Sequence, residues 1–316
     1  MVDLPKVPKE DTMYFIGVTT SESSIMDVFP RWVEVMDLDG KLVGIDIDIH
    51  AEQEEYRETV KFIKNNKYAR GALVTTHKID IYNAAKDLFD YFDFHSAIQE
   101  EMSCISKIDG KLVAYAKDPI TSGRAMEDFI PNNFWKKHGG QVLIIGAGGS
   151  ARAISSYLFD PKNGDNMPSK LYINNRSKPR LEKFKRIFTE INDQVETEYT
   201  LTPKLEDNDR ILHKLKPYSM VVNATGLGKD RPGSPLSDDC EFPENSLIWE
   251  LNYRGGLKFM HQALDQEEEK DLFVEDGWRY FIHGWSEHIS EVFDFELTDE
   301  LVAELDEVAA EVKGRK

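Results

Sequence analysis

The stretch Gln141-Val-Leu-Ile-Ile-Gly146-Ala-Gly148-Gly149-Ser150-Ala151-Arg152-Ala153 constrains this chain more than any other. Branched aliphatic residues run into a glycine turn, and a helical pattern follows. That order of strand, turn and helix gives Gly146-x-Gly148-x-x-Ala151 its meaning. The first glycine allows a tight turn, the second lets backbone approach a pyrophosphate, and the small third residue lets helix pack on strand. Gly149 and Ser150 then open a helix whose N-terminal N–H groups face an anion. The stretch predicts the first βα unit of a dinucleotide-binding sheet.

In such a sheet the end of the second strand reads the adenosine ribose. An acid there suits a free 2′-hydroxyl, and an arginine accommodates a 2′-phosphate. Here the run is Asn174-Asn175-Arg176-Ser177-Lys178-Pro179-Arg180, with no acid at the strand end. Arg176, Arg180 and the Ser177 hydroxyl beside Asn175 suit a dianionic phosphate, which a guanidinium binds bidentately. NADP(H) is therefore expected rather than NAD(H).

At 316 residues the chain predicts two domains. The first third alternates strand and helix signals: strands over 13–18, 42–49 and 71–76, helices over 25–35, 51–63 and 79–89. Alternation of this kind implies a parallel sheet. Its ligands belong at the carboxyl ends of the strands, where Ser21, Ser23 and Lys78 fall. Segment 91–115 is short and mixed around Asp109-Gly110, and Asp118-Pro119 opens a helix to about Phe129. A second βα series has strands at 142–145, 171–174, 196–201, 220–223 and 247–251. Segment 159–169 reads as a surface loop, and helices follow at 259–264, 277–292 and 297–312. The expected architecture is α/β with two domains. Residues 1–118 form a substrate and catalytic domain with a mainly parallel sheet, and helices of about 277–316 pack back on it. Residues 119–276 form the Rossmann dinucleotide domain.

Charge narrows the partners. With 39 Lys and Arg against 57 Asp and Glu, the formal charge is −18. Such a surface repels nucleic-acid phosphates and anionic lipid, so neither partner is expected. No apolar run approaches the length of a membrane span, and residues 1–12 lack the apolar core of a signal peptide. A cytoplasmic protein, monomeric or homodimeric, is expected. Cys104 and Cys240 make neither a disulfide framework nor a metal cluster. His77, His283 and His288 are too scattered for metal spacing, and no metal is expected. Trp278, Tyr280, Phe281 and Trp285 crowd one helix and read as core.

Lys78 follows an apolar strand directly, in Val74-Thr75-Thr76-His77-Lys78, and Asp118 stands in Ala116-Lys117-Asp118-Pro119. A ketone that accepts hydride develops alkoxide charge and needs a proton, and the reverse oxidation needs a base. An ammonium held by a carboxylate serves both directions, with burial moving the lysine toward neutrality. Sequence leaves open whether Lys78 and Asp118 touch.

Taken in order, the motifs resemble the shikimate/quinate dehydrogenase family from about Phe15 to Val292. They are Ser21-Glu-Ser23, Gly71-Ala-Leu-Val-Thr-Thr-His-Lys78, Asp109-Gly-Lys-Leu with Lys117-Asp118, and Gly146-Ala-Gly-Gly-Ser-Ala151. Asn175-Arg176-Ser177, Asn223-Ala-Thr225-Gly226-Leu-Gly228 and Glu250-Leu-Asn-Tyr253 complete the set. The resemblance implies a catalytic Lys78–Asp118 pair and Ser21 and Ser23 on a substrate carboxylate. It also implies Tyr253 near the nicotinamide, an Asn223–Gly228 turn approaching the cofactor, and a place in aromatic amino acid biosynthesis.

Departures from the family pattern sit among the substrate readers. Ala116 replaces the asparagine of its Asn-Thr-Asp motif, 102–106 carry no match to a second asparagine, and a late glutamine falls on Gly284. Its Asn-Val-Thr-x-Pro motif becomes 72–76, leaving Thr75 or Thr76 as hydroxyl donor. Sites built to bond hydroxyls discriminate by large factors, so changed readers imply the same reaction on a different or loosened substrate. The expected activity interconverts a secondary alcohol and a ketone on an anionic alicyclic hydroxy acid or cyclitol. A non-catalytic NADP(H)-binding or redox-sensing protein is the alternative.

Overall fold

A computed structural model describes residues 2–49, 51–192, 195–229 and 231–315. The chain divides into two units, Met1–Lys117 with Ile282–Lys316, and Asp118–Phe281.

The first unit opens with β1 (Thr12–Gly17), α1 (Ile25–Val35), β2 (Lys41–Asp46), α2 (Gln53–Asn65), β3 (Ala69–Val74) and α3 (Lys78–Ala85). There follow β4 (Tyr91–Phe92), α4 (Phe94–Gln99), β5 (Cys104–Ile108) and β6 (Lys111–Tyr115). The sheet order is β2-β1-β3-β5-β6-β4. β1 pairs in parallel with β2 and β3, and β4 with β6, whereas β5 runs antiparallel to β3 and β6. The tight Asp109-Gly110 turn makes that hairpin, with both residues at positive φ. Every residue of β1 is buried, as a central strand covered on both faces requires.

The second unit holds α5 (Asp118–Glu127), α6 (Phe134–His138), β7 (Val142–Ile145), α7 (Gly149–Leu158), β8 (Leu171–Asn175), α8 (Lys178–Ile191) and β9 (Thr197–Leu201). It continues with α9 (Leu205–Leu212), β10 (Met220–Asn223), β11 (Leu247–Glu250), α10 (Lys258–Leu264), α11 (Glu267–Lys270) and β12 (Phe273–Glu275). Its sheet, β12-β11-β10-β7-β8-β9, is parallel throughout. Side chains along β7 alternate between two cores. Val142 and Ile144 join Trp249 on one face, and Leu143 and Ile145 join Phe242 and Phe259 on the other. The α/β class and its mainly parallel sheets are thus as expected. The short edge strand β12 is an addition, because three residues give too little periodicity to read.

α12 (Trp278–Phe293) crosses the boundary between the units, and α13 (Asp299–Lys313) ends the fold. Within the first unit, α1 buries Ile25, Val28, Phe29 and Trp32 at helical spacing, and the Trp32 indole donates to the Leu305 carbonyl of α13 at 2.8 Å. Thr298 caps α13 by accepting the Leu301 N–H. The terminal helix thus belongs to the same unit as α1.

Candidate functional site

In the first unit, the functional candidates collect at the carboxyl ends of β1 and β3. Behind β1 the chain makes a 3₁₀ turn, Thr20–Glu22, with Ser21 exposed and Ser23 half-buried. Asp46 at the end of β2 holds this turn: its Oδ1 accepts the Thr20 N–H at 2.8 Å and the Thr20 hydroxyl at 2.6 Å. A Cβ at Gly44 would lie 2.1 Å from the Thr20 Oγ1, so the close approach requires glycine. Neither Asp46 nor Gly44 stood out in the sequence, since a carboxylate ending a strand has no signature of its own.

Lys78 is half-buried as the first residue of α3. Just before it, His77 is fully buried. One of its ring nitrogens, Nε2, faces the Gly17 carbonyl at 3.3 Å, which can only accept, so this nitrogen carries the proton; Nδ1 lies 3.3 Å from the Tyr56 hydroxyl. His77 thereby ties α2, β1 and the loop into one support for Lys78. The two threonines part company here. Thr75 turns its hydroxyl to the Ile16 carbonyl at 3.3 Å, while Thr76 is exposed.

The antiparallel hairpin brings its open end to the same edge, because Leu73 pairs with Cys104 and Cys104 with Tyr115. Met102 and Ala116 are fully buried there, and Ala116 stands where the family resemblance places an amide. Lys117 is buried as well, bonded to Glu291, 3.5 Å from a Glu287 oxygen, and over the Tyr115 ring at 5.1 Å. Burial works against the ammonium, but Glu291 and Glu287 outweigh it and hold Lys117 above its ordinary range. Burial and then Glu291 push the Tyr115 phenol up. No pattern along the chain marks this cluster, whose members lie on distant segments. Cys104 is buried and free, and burial raises its thiol; the same effect pushes Cys240 up to about 12.

Asp118 is buried and begins α5 in the second unit. Farther on, the glycine turn joins β7 to α7. Gly146 has φ +123, and a Cβ there would lie 2.5 Å from the Ala224 carbonyl oxygen. Gly148 is the N-cap of α7, without a side-chain cap bond, and a Cβ at Gly148 would meet nothing within 4 Å. Gly149 and Ser150 are half-buried in the first turn, and Ala151 is fully buried against the sheet. An open approach to uncapped N–H groups fits a pyrophosphate.

Asn175 ends β8, and its amide donates to the Ser177 carbonyl at 3.3 Å. Arg176 and Arg180 are exposed and Ser177 is the N-cap of α8. Asn223 has no capacity left for a ligand. Its amide donates to Leu227 O at 3.2 Å and Glu250 Oε2 at 2.7 Å, and its oxygen accepts Thr225 N and Oγ1 at 3.1 and 2.7 Å. Thr225 Oγ1 also accepts the Leu227 N–H at 3.1 Å. Asn223 thus shapes the turn that exposes Thr225 and Gly226, rather than reaching out itself. Tyr253 packs on Phe281 and Trp278, with ring centroids 4.9 and 5.8 Å away.

Glu250 closes this network and is fully buried. Its carboxylate accepts from Asn223 and from the N–H and amide of Asn252 at 2.9 and 2.6 Å. Burial outweighs these donors and pushes it up to about 7. A carboxyl that binds its proton more tightly when folded stabilises fully below its unfolded value and loses that contribution as pH rises through about 7. Unfolding free energy should therefore fall between pH 5 and 8 by up to about 3 kcal/mol. Urea denaturation at both pH values checks this, and Glu250→Gln should flatten the difference.

Among the described residues no histidine, cysteine and carboxylate group could hold a metal, and no helix is long and apolar enough to cross a membrane. No family model matches the chain. A curated shikimate dehydrogenase (NADP(+)) of Streptococcus thermophilus is 28% identical over 162 residues, 51% of this chain and 52% of that protein. One from Caldicellulosiruptor bescii is 23% identical over 285 residues, 86% of this chain and 85% of its own length. The solved shikimate 5-dehydrogenase of Thermus thermophilus, in complex with NADP(H) and shikimate, has a TM-score of 0.70 at 20% identity. That match covers 96% of this chain and 99% of that one. The chain spans about half the length of the first relative and most of the others. In sequence and in fold the chain is similar to these shikimate dehydrogenases, in line with the resemblance its motifs carry.

Proposed function

We propose that this chain is an NADP(H)-dependent oxidoreductase that interconverts a secondary alcohol and a ketone. Its substrate is an alicyclic hydroxy acid of the shikimate or quinate type, or a related cyclitol. The observation that carries the reading is the gathering of Lys78 and the Ser21–Ser23 turn at the carboxyl ends of adjacent parallel strands. Curated relatives named for NADP(+) and the absence of an acid at the end of β8 both support the cofactor choice.

When bound, the nicotinamide supplies or accepts the hydride. In reduction, Lys78 Nζ gives a proton to the carbonyl oxygen as alkoxide charge develops; in oxidation the neutral amine takes it back. Asp118 is proposed as the carboxylate that orients this ammonium. Ser21 and Ser23 donate to the substrate carboxylate, and the exposed Thr76 is the better hydroxyl reader because Thr75 bonds Ile16. The buried Ala116 side chain offers no hydrogen bond, so this position disfavours the hydroxyl that an amide would read. Gly148, Gly149, Ser150 and Ala151 form the pyrophosphate side, and Asn175, Arg176, Ser177 and Arg180 the ribose phosphate side. Thr225, Gly226 and Tyr253 lie toward the nicotinamide.

NADPH consumption with 3-dehydroshikimate, and NADP+ reduction with shikimate, quinate and cyclitols, provide the direct assay. Turnover on one member of the panel is expected. Tight NADPH binding without turnover on any of them would instead favour the non-catalytic reading, which the missing family amides, at Ala116 among them, motivate. For the cofactor, Arg176→Ala should raise the KM for NADP+ by about ten- to a hundredfold, the worth of charged hydrogen bonds to a phosphate. The KM for NAD+ should stay within about twofold on the same grounds. Equal losses for both nucleotides would remove Arg176 from the phosphate.

A further inference from the structure

Ser103 stands at the open end of the hairpin, fully buried, and its own bonds go to Val74, Tyr115, Lys117 and His288, on or beside the segments that lead into Lys78 and Asp118. Its carbonyl accepts the Val74 N–H at 2.8 Å, and its N–H donates to the Tyr115 carbonyl at 2.9 Å. Adjacent Met102 donates its N–H to the carbonyl of Lys78 at 3.2 Å. The Ser103 hydroxyl accepts the backbone N–H of Lys117 at 2.9 Å, and Asp118 follows directly in the chain.

His288 on α12 fixes the direction of that hydroxyl. Its Nδ1 lies 2.5 Å from the Gly284 carbonyl, which can only accept, so Nδ1 carries the proton. In the neutral ring Nε2 is then an acceptor, and it faces Ser103 Oγ at 3.2 Å. The Ser103 O–H therefore donates to His288, and its lone pair points to Lys117. An orientation is set on a hydroxyl that otherwise rotates freely.

We infer that Ser103, aligned by His288, is the positioning residue for the Lys78–Asp118 pair. Two consecutive residues, 102 and 103, hold the carbonyl of Lys78 and the N–H that precedes Asp118, so displacement of this corner moves both. The inference rests on the proton-transfer roles proposed above. Ser103 itself touches no reacting atom. The neighbouring buried Lys117 is committed to Glu291 and Glu287, so the corner is tied to α12 at two points.

Ser103→Ala should lower kcat by about ten- to a hundredfold, as a shift of a catalytic group near 1 Å does. KM and the NADPH dissociation constant should change less than about threefold, since Ser103 is buried and its hydroxyl is committed to Lys117 and His288. Ser103→Thr, which keeps the hydroxyl, should recover most of kcat. His288→Ala should resemble Ser103→Ala, and the double variant should be no worse than either, as members of one unit behave. Unchanged kcat in folded Ser103→Ala would overturn the inference, as would losses confined to KM. Amide hydrogen exchange provides a second reading that needs no turnover. Lys117 and Asp118 amides should exchange faster in Ser103→Ala and normally in Ser103→Thr; unaltered exchange in Ser103→Ala overturns the inference. An inactive wild type would sink the functional reading, and the exchange result would still decide this one.

Discussion

Lys78→Ala lowers kcat for ketone reduction by about a hundredfold to ten-thousandfold, the span of a lost general acid. The expected loss falls on kcat because the proposed proton transfer occurs only as the alkoxide forms, while the proposed carboxylate contacts of Ser21 and Ser23 are left untouched. NADPH affinity should be unchanged, since the cofactor contacts proposed above are assigned to the glycine turn and Arg176 rather than to Lys78. Asp118→Asn should lose kcat in the same direction, because the amide cannot hold an ammonium by charge. Steady-state rates with NADPH and the active ketone, beside fluorescence titration of NADPH, make the measurement. A Lys78→Ala enzyme that keeps more than about a tenth of wild-type kcat would remove this lysine from general acid catalysis.

Gly146→Ala and Gly148→Ala should fail in different ways, although both add one methyl to the same turn. At Gly146, φ is +123 and the new carbon would lie 2.5 Å from a backbone oxygen. Backbone strain and the forced shift of Ala224 together cost about 3 kcal/mol, so the protein loses stability. At Gly148, φ is −91 and the added carbon meets no protein atom within 4 Å. Stability there should change by less than about 0.5 kcal/mol. The methyl instead occupies the approach of the pyrophosphate, and NADPH affinity should fall at least about tenfold, or 1.4 kcal/mol. Urea denaturation and NADPH titration of the pair separate the two effects. Equal affinity in Gly148→Ala and wild type would place the pyrophosphate elsewhere.

Reading the chain worked best where chemistry is local. Gly146, Gly148 and Ala151 act through the turn they form, so a strand before and a helix after suffice to interpret them. The helix faces of α1 and α13 were equally plain, because burial follows a period that sequence displays. Thr75 was less legible. Its residue type suits a substrate hydroxyl, and only the register of β3 against β1 turns that hydroxyl to Ile16. Asn223 likewise reads as a ligand group until its partners Leu227, Glu250 and Thr225 are counted. A side chain has few hydrogen-bonding positions, and tertiary neighbours decide whether any remain.

Sequence by itself determined the α/β class, the glycine turn and its cofactor logic, and the strand-end positions of Ser21, Ser23 and Lys78. Each follows from short local patterns or from their order along the chain. Tertiary structure alone decided what surrounds them. His77 reaches Tyr56 and Gly17, Lys117 reaches Glu287 and Glu291, and Ser103 reaches His288, all across long loops of chain. No local period records such meetings: the first depends on α2 and β1 meeting the loop after β3, and the other two on the β5–β6 hairpin and the return of α12. The physical reason is that hydrogen bonds and charges act over a few ångströms of space, whatever the separation along the chain.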